Sequence, residues 1–108
     1  MKIEKWEIWN ADLRFEDNPA EVKRRPVLII DHEKLTVVVL KITSKPPKEE
    51  FFGEYEISLW KEAGLDKPSV VRSTRRARID ITDLVSKRGK LQARDIAVVS
   101  QLLHFIDH

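Results

Sequence analysis

The chain has 108 residues, of which 42% are hydrophobic and 35% are charged, and its formal net charge is +2. These values predict one globular domain over residues 1–108, with a modest core and a heavily charged surface. Cysteine is absent, which excludes a thiol nucleophile, a disulfide scaffold and a cysteine zinc site. No apolar run approaches the roughly 20 residues of a membrane span. The three glycines are too dispersed for a phosphate-binding loop, and we predict no metal and no cofactor.

The N-terminal part predicts a strand followed by a loop. Hydrophobic and polar residues alternate from Glu7 to Leu13, which is typical of a half-buried strand with Trp9 on its core face. Residues 14–25 are polar and contain Asn18-Pro19, which predicts a loop.

The middle of the chain predicts two central strands. Pro26–Ile30 and Thr36–Ile42 are rich in β-branched residues and are separated by a polar turn. Their nearly continuous hydrophobicity indicates that both faces of these strands are covered. The pair Pro46-Pro47 then predicts irregular structure over residues 43–52.

The second half predicts short strands and one helix. The strands are expected at residues 54–59, 69–72 and 76–81. Residues 60–63 predict a helical turn that ends at Gly64. From Gln92 to His104, apolar residues recur at spacings of three and four, which predicts a C-terminal helix. The elements together predict a mainly β (α+β) fold, a small and strongly bent antiparallel barrel with a C-terminal helix.

Charge is unevenly distributed along the chain. Residues 49–66 contain six acidic residues and one lysine, whereas residues 72–90 contain seven basic residues and two acidic ones. The basic segment is either a surface for a polyanion, since phosphate neutralisation dominates nucleic-acid affinity, or a solvated face. Composition alone does not distinguish these alternatives.

A run of cations ending in Arg24 and Arg25 stands directly before Pro26 and the first central strand. The proline favours an extended conformation at Arg25 and thereby orients its guanidinium. Because a planar guanidinium binds oxyanions through two parallel hydrogen bonds, Arg25 is a candidate phosphate-binding residue. The alternative is a structural ion pair with a carboxylate such as Glu21 or Asp17.

A second polar cluster, Thr43-Ser44-Lys45, follows the next central strand. Its hydroxyls either stabilise a local turn or, if the two strands are neighbours, share one pocket with Arg25. Such a pocket would present a cation and hydrogen-bond donors to the non-bridging oxygens of a phosphodiester. Trp9 is either a core residue or a rim residue that stacks on a base.

Five segments together carry a family resemblance. They are Ile8–Leu13 (IWNADL), Lys23–Ile30 (KRRPVLII), Ile42–Ser44 (ITS), Gly64–Val71 (GLDKPSVV) and Gly89–Leu91 (GKL). In this order and spacing, the sequence resembles the MazF/PemK toxins of type II toxin–antitoxin systems over residues 6–103. No segment is specific alone, but the combination is a strong signal.

The resemblance implies an SH3-like barrel of the MazF/PemK/CcdB type and a metal-independent endoribonuclease that acts on single-stranded RNA. The family's catalytic arginine directly precedes the proline and corresponds to Arg25. Its catalytic threonine follows the strand isoleucine and corresponds to Thr43. Attack by the 2′-hydroxyl of the RNA would give a 2′,3′-cyclic phosphate and a 5′-hydroxyl. The expected RNA-binding residues are Arg24, Ser44, Lys45, Arg75 and Trp9.

The resemblance also implies a homodimer in the cytoplasm, an acidic antitoxin as partner, and no membrane association. The chain departs from the family pattern at Trp6-Glu7, where Gly-Asp is usual, and at Arg75, where some members have glutamine. A second class of function fits the same fold, namely a non-catalytic barrel that poisons gyrase or binds nucleic acid or protein. The presence of both Arg25 and Thr43 favours the ribonuclease.

Overall fold

The computed structural model describes residues 2–15, 18–47 and 52–107. These residues form six strands, one 3-10 turn and one α-helix. In chain order they are β1 (Glu7–Phe15), β2 (Asn18–His32), β3 (Thr36–Thr43), β4 (Glu54–Glu56), β5 (Val70–Asp80), the 3-10 turn (Ile81–Asp83), β6 (Leu84–Lys90) and α1 (Ala93–Asp107). Within this part of the chain, no helix has the length and apolar character needed to cross a membrane.

The six strands form one antiparallel sheet in the order β4-β5-β3-β2-β1-β6. The sheet is not closed, because β4 and β6 are its two edges and do not pair over the described residues. The prediction of a mainly β antiparallel fold with a C-terminal helix is confirmed, and the bent sheet stays open between these edges.

Hydrophobic side chains cover both faces of the central strands β2 and β3, as their sequences predicted. Leu28 and Leu40 belong to a first core cluster, which also contains Val99 of α1. Val27 and Val39 belong to a second core cluster. Successive residues of a strand point to opposite faces, so an uninterrupted apolar run supplies both clusters.

The C-terminal helix lies against the first core cluster. Ile96, Val99 and Leu103 recur at helical spacing and pack in or against it. The helix predicted over residues 92–104 is therefore confirmed, and it extends to Asp107.

A buried carboxylate, Asp95, joins α1 to the segment that follows β4. It accepts hydrogen bonds from the backbone N–H groups of Ser58 and Leu59, both at 2.9 Å, and from the hydroxyl of Tyr55. Burial, together with the hydrogen bond to Asp95, raises the pKa of Tyr55 to about 12, so the phenol stays neutral at physiological pH. These donors satisfy a charge that would otherwise be costly to bury.

Residues 14 and 15 belong to β1 and residues 18–25 to β2, so the loop predicted over residues 14–25 is wrong at these positions, while residues 16 and 17 lie outside the described residues. β1 and β2 continue as a two-stranded ribbon in which Asp12 lies opposite Arg24 and Leu13 opposite Lys23. Residues 20–25 are all exposed, so neither face of β2 carries an apolar alternation there. Backbone hydrogen bonds to β1 hold these residues in the strand, and their polar side chains carry no strand pattern that the sequence could show.

The second half differs from its prediction in three places. The strand expected over residues 54–59 is limited to β4. β5 is one strand of 11 residues instead of two short strands. It continues through residues 73–75 because its pairing with β3 shifts register there, between the partners of Leu40 and Lys41. β6 was not predicted, since Leu84 is its only buried residue and an exposed edge strand has no period-two pattern.

Candidate active site

The two polar strand ends that the sequence singled out lie next to each other. β2 and β3 pair with Val27 opposite Lys41 and Leu28 opposite Leu40. Continuing this register by two residues places Arg25 opposite Thr43. The end of β3 and the start of the buried part of β2 line one cavity of about 350 Å³, and their lining residues are Arg24, Arg25, Pro26, Ile42, Thr43, Ser44 and Lys45.

The other lining residues of this cavity, called the basic cavity below, come from distant parts of the chain. Leu65, Asp66, Lys67 and Ser69 precede β5, and Arg88 lies on β6. None of these residues was predicted to belong to the site. Asp66 lies in a matched family segment and Arg88 in the basic stretch, but nothing in the sequence brings them together.

Cations dominate the basic cavity. Five of its lining side chains are basic, and Asp66 is the one acidic side chain among them. The basic residues are Arg24, Arg25, Lys45, Lys67 and Arg88. A concave surface with this charge favours an anionic ligand.

Arg25 is exposed and has no carboxylate partner among the residues that the structure describes. Its Nη1 donates a hydrogen bond to the backbone carbonyl of Arg24 at 3.2 Å, which orients the guanidinium where the buried part of β2 begins. Of the two carboxylates considered from sequence, Glu21 pairs with Lys23 at 3.5 Å, and Asp17 lies outside the described residues. The fork of Arg25 is thus available to an oxyanion.

Thr43 takes part in a local turn, and its hydroxyl hydrogen is still available. The backbone N–H of Lys45 donates to Thr43 Oγ1 at 3.2 Å. Because the hydroxyl oxygen accepts this bond, its hydrogen can be donated to a ligand. The local-turn interpretation and the binding interpretation of Thr43 are therefore compatible.

Arg24 is held in a cross-strand pair with Asp12. Arg24 Nε donates to Asp12 Oδ1 at 3.0 Å, and Arg24 Nη2 donates to Asp12 Oδ2 at 3.4 Å. The hydrogen bond and the charge of Asp12 raise the pKa of the Arg24 guanidinium above its ordinary value. Arg24 therefore lines the cavity with a counter-ion already in place.

Arg88 is positioned by a close backbone approach. Its Nε donates to the carbonyl of Gly64 at 3.1 Å, and its Nη2 lies 2.8 Å from Asp66 Oδ2. Gly64 has a φ of +93°, and a Cβ there would lie 2.1 Å from the carbonyl oxygen of Arg88. A Cβ on Gly89 would lie 2.2 Å from the carbonyl oxygen of Ala63. The two glycines let the turn before β5 pack directly on β6.

Two of the predicted RNA-binding residues are not at the basic cavity. Trp9 is 5% exposed within the second core cluster, and its ring N–H donates to Glu7 Oε1 at 3.0 Å. Arg75 is exposed on β5, where the register with β3 is irregular. The structure thus brings together Arg24, Arg25, Thr43, Ser44 and Lys45, and places Trp9 and Arg75 elsewhere.

The other arginines of β5 have ion-pair partners. Arg72 pairs with Glu54 at 3.0 Å, Arg76 with Asp107 at 3.1 Å and Arg78 with Glu33 at 2.9 Å. The basic stretch seen in the sequence is therefore partly neutralised in the fold, and of its basic residues Arg88 is the one that lines the cavity.

Comparisons with known proteins agree on one family. The model of the family described as PemK-like, MazF-like toxin of type II toxin–antitoxin system matches residues 4–106. Among solved structures, the Mycobacterium tuberculosis toxin MazF-mt6 is similar, with a TM-score of 0.70 and 27% identity over 92% of this chain and 93% of that one. A comparison with curated proteins gave no match.

Two further structures share the fold. An endoribonuclease in complex with its cognate antitoxin, from a mycobacterial species, has a TM-score of 0.73 and 12% identity over 96% of this chain and 93% of that one. A structure described as an Mtb toxin has a TM-score of 0.63 and 27% identity over 75% of this chain and 90% of that one. Since the family model covers nearly the whole chain and these structures have its fold, the chain belongs to the PemK-like, MazF-like toxin family of type II toxin–antitoxin systems.

Proposed function

We propose that this toxin is an endoribonuclease that cleaves single-stranded RNA without a metal ion. The observation that carries the proposal is that Arg25, where the buried part of β2 begins, and Thr43, at the end of the paired strand β3, line one basic cavity. Two solved structures with the same fold are named endoribonucleases, which supports the same class of reaction.

RNA supplies the nucleophile in this reaction. The 2′-oxygen bonds to the adjacent phosphorus and loses its proton, while the bond from phosphorus to the 5′-oxygen breaks and that oxygen gains a proton. The products are a 2′,3′-cyclic phosphate and a 5′-hydroxyl. The protein has to hold the 2′-oxygen in line with the leaving oxygen and to stabilise the negative charge that develops on the phosphorane oxygens.

Arg25 and Thr43 fit these two requirements. A guanidinium keeps its proton at physiological pH, so we assign charge stabilisation to Arg25. Its Nη1 is bound to the carbonyl of Arg24, and without a carboxylate partner in the described part of the chain its Nε and Nη2 are left for the phosphate. Thr43 donates its hydroxyl hydrogen to a non-bridging oxygen or to the 2′-oxygen, with the hydroxyl oriented by the N–H of Lys45.

The rest of the cavity binds the RNA backbone in this proposal. Ser44 and Lys45 continue from Thr43 along the cavity wall, and Arg24 adds a cation beside Arg25. A cavity with this charge also suits an acidic segment of an antitoxin, which would block the site by occupying it. We therefore propose an acidic antitoxin as partner of this toxin in the cytoplasm.

The test is cleavage of a labelled single-stranded RNA by the purified protein, with and without EDTA, followed by analysis of the product ends. We expect cleavage to persist in the chelator and the products to carry a cyclic phosphate and a 5′-hydroxyl. Arg25→Ala should abolish cleavage, whereas Lys34→Ala, which removes the same charge from an exposed turn, should not.

Two results would contradict the proposal. Activity that is lost in EDTA and restored by magnesium would overturn the metal-independent mechanism. Cleavage by Arg25→Ala at the wild-type rate would overturn the assignment of the site. A wild-type protein that cleaves no RNA in the presence or absence of metal would favour the non-catalytic class of function.

A further inference from the structure

Arg88 and Asp66 form an ion pair on the wall of the basic cavity that the proposed reaction does not use. Arg88 Nη2 lies 2.8 Å from Asp66 Oδ2, and both residues line the same cavity as Arg25 and Thr43. The two members of the pair differ strongly in exposure: the Arg88 side chain is 20% exposed, whereas the Asp66 side chain is 85% exposed.

The environment of Arg88 is that of a fixed binding group. Its Nε is bound to the carbonyl of Gly64, and the close approach of Gly64 and Gly89 fixes the backbone on both sides of this contact. A guanidinium that is already oriented loses little conformational freedom when it binds an oxyanion. Arg88 therefore resembles a prepared anion site.

The environment of Asp66 is that of an exchangeable counter-ion. Its carboxylate makes no other hydrogen bond within the described residues and is almost fully in solvent. Ion pairs to such exposed carboxylates contribute little, because water and salt replace the partner at small cost. A phosphate that enters the cavity can therefore take the place of Asp66 on Arg88.

We propose that Arg88 binds a backbone phosphate of the RNA next to the scissile one, and that Asp66 is the resting counter-ion that this phosphate displaces. The proposal rests on the proposed function, because it names a further binding residue for the same substrate. Arg25 and Arg88 both line the same cavity of about 350 Å³, so we assign neighbouring phosphates of one strand to these two guanidinium groups.

The pair gives opposite predictions for its two members. Removing the charge of Asp66 frees Arg88 and should tighten RNA binding roughly two- to fivefold, which is the range expected for loss of an exposed counter-ion. Removing Arg88 deletes a charge-assisted contact and should weaken binding about tenfold or more. If Asp66 acts only through Arg88, the tightening should vanish once Arg88 is gone.

The experiment measures the affinity of the full chain for a short randomised RNA that is methylated at every 2′-hydroxyl and cannot be cleaved. Asp66→Asn, Arg88→Met and the double variant are titrated across a salt series. Glu62→Gln is the matched control for Asp66→Asn, because it makes the same charge change on an exposed residue that does not line the cavity. Lys90→Met serves in the same way for Arg88→Met.

We expect tighter binding for Asp66→Asn, weaker binding for Arg88→Met with a salt slope reduced by about 0.7, and a double variant equal to Arg88→Met. Unchanged or weaker RNA binding by Asp66→Asn would overturn the proposal. Tighter binding would also overturn it if the gain persists in the double variant or if Glu62→Gln shows the same gain. Asp66→Asn keeps the proposal testable if Arg88→Met does not fold. A loss of cleavage in Arg25→Ala without any response to Asp66→Asn would overturn this inference and leave the proposed function standing.

Discussion

The three arginines of the basic cavity differ in what holds them. Arg24 pairs with Asp12 and Arg88 with Asp66, whereas Arg25 contacts the carbonyl of its neighbour and no carboxylate in the described structure. A guanidinium with a counter-ion must exchange it before it binds a phosphate, and one without a counter-ion need not. The residue assigned to the reacting phosphate is thus the one that is ready to bind it.

Thr43 offers the sharpest residue-scale test of the site. Thr43→Val keeps the shape of the side chain and removes the donor, so we expect kcat to fall about 10²–10³-fold. Thr43→Ser keeps the hydroxyl and should retain most of the activity. Thr43 is half-buried at a strand end, so the melting temperature should change little in either variant. Thr43→Val with wild-type kcat would show that the hydroxyl has no part in the reaction.

Glu7 is a buried carboxylate whose role is structural. Its Oε1 accepts hydrogen bonds from the N–H of Glu4 at 2.9 Å and from the ring of Trp9 at 3.0 Å, and its Oε2 lies 2.8 Å from Lys87 Nζ. Burial by itself would raise the pKa of Glu7, but these hydrogen bonds and the charge of Lys87 outweigh it and lower the pKa below the ordinary 4.5. The ionised form is therefore the stabilising one.

The lowered pKa of Glu7 predicts acid sensitivity. Its contribution to stability is present above the ordinary pKa and is lost as the pH falls through the lowered pKa. We expect Glu7→Gln to reduce the free energy of unfolding by about 1–3 kcal/mol at neutral pH and by much less once the pH has fallen below the lowered pKa of Glu7. Urea denaturation of both proteins at several pH values measures this difference. A difference that is independent of pH would contradict the assignment.

Trp6 stands in a strained backbone conformation at one of the departures from the family pattern. Its φ is +75°, a conformation that glycine adopts without strain, and the family usually has glycine there. Trp6 compensates in part by packing on the first core cluster and under the ammonium of Lys5, which lies 5.0 Å from its ring.

At the scale of elements, the contact between the turn before β5 and β6 holds one wall of the site. It depends on Gly64 and Gly89, which leave no space for a Cβ. We expect Gly89→Ala to reduce the free energy of unfolding by about 1–3 kcal/mol, as overpacking does, and to weaken RNA binding by displacing Arg88. Thermal unfolding and RNA titration measure the two effects. Lys90→Ala, on the same strand, is the control, and equal stability of both variants would contradict the close approach.

Two of the exposed arginines of β5, Arg75 and Arg78, should behave differently. Arg78 is paired with Glu33 at 2.9 Å, whereas Arg75 has no ion-pair partner among the described residues. If Arg75 guides the RNA backbone toward the cavity, Arg75→Ala should lower the salt slope of binding by about 0.7, and Arg78→Ala should leave it unchanged. An unchanged slope for Arg75→Ala would mean that the arginines of β5 form a solvated face.

At the scale of the whole molecule, the sheet has two open edges and cores on both faces. The family resemblance predicts a homodimer. We expect light scattering after size-exclusion chromatography to give twice the chain mass, and the melting temperature to rise with protein concentration, because association stabilises the folded chain by mass action. A monomeric mass at the highest concentration, with a constant melting temperature, would contradict the homodimer.

The sequence by itself determined the elements that are buried. The central strands β2 and β3, the helix α1 and the two polar strand ends at Arg25 and Thr43 could be recognised, because burial imposes a periodicity and a proline fixes its neighbour. The exposed part of β2 and the edge strand β6 could not, since a strand held by backbone hydrogen bonds alone leaves no pattern in its side chains.

Only the tertiary structure decided which of these residues form the site. The alternation of side chains along β1 predicts that Trp9 faces the core, but it does not show how deeply this residue is buried. The fold buries Trp9 in the second core cluster. The composition of the basic stretch does not show which arginines have partners, and the fold pairs Arg76 and Arg78 with acids that are distant in sequence. The antiparallel pairing of β2 with β3 and the packing of a turn on β6 bring Arg88 into the basic cavity. Such contacts depend on long-range register, which local sequence does not encode.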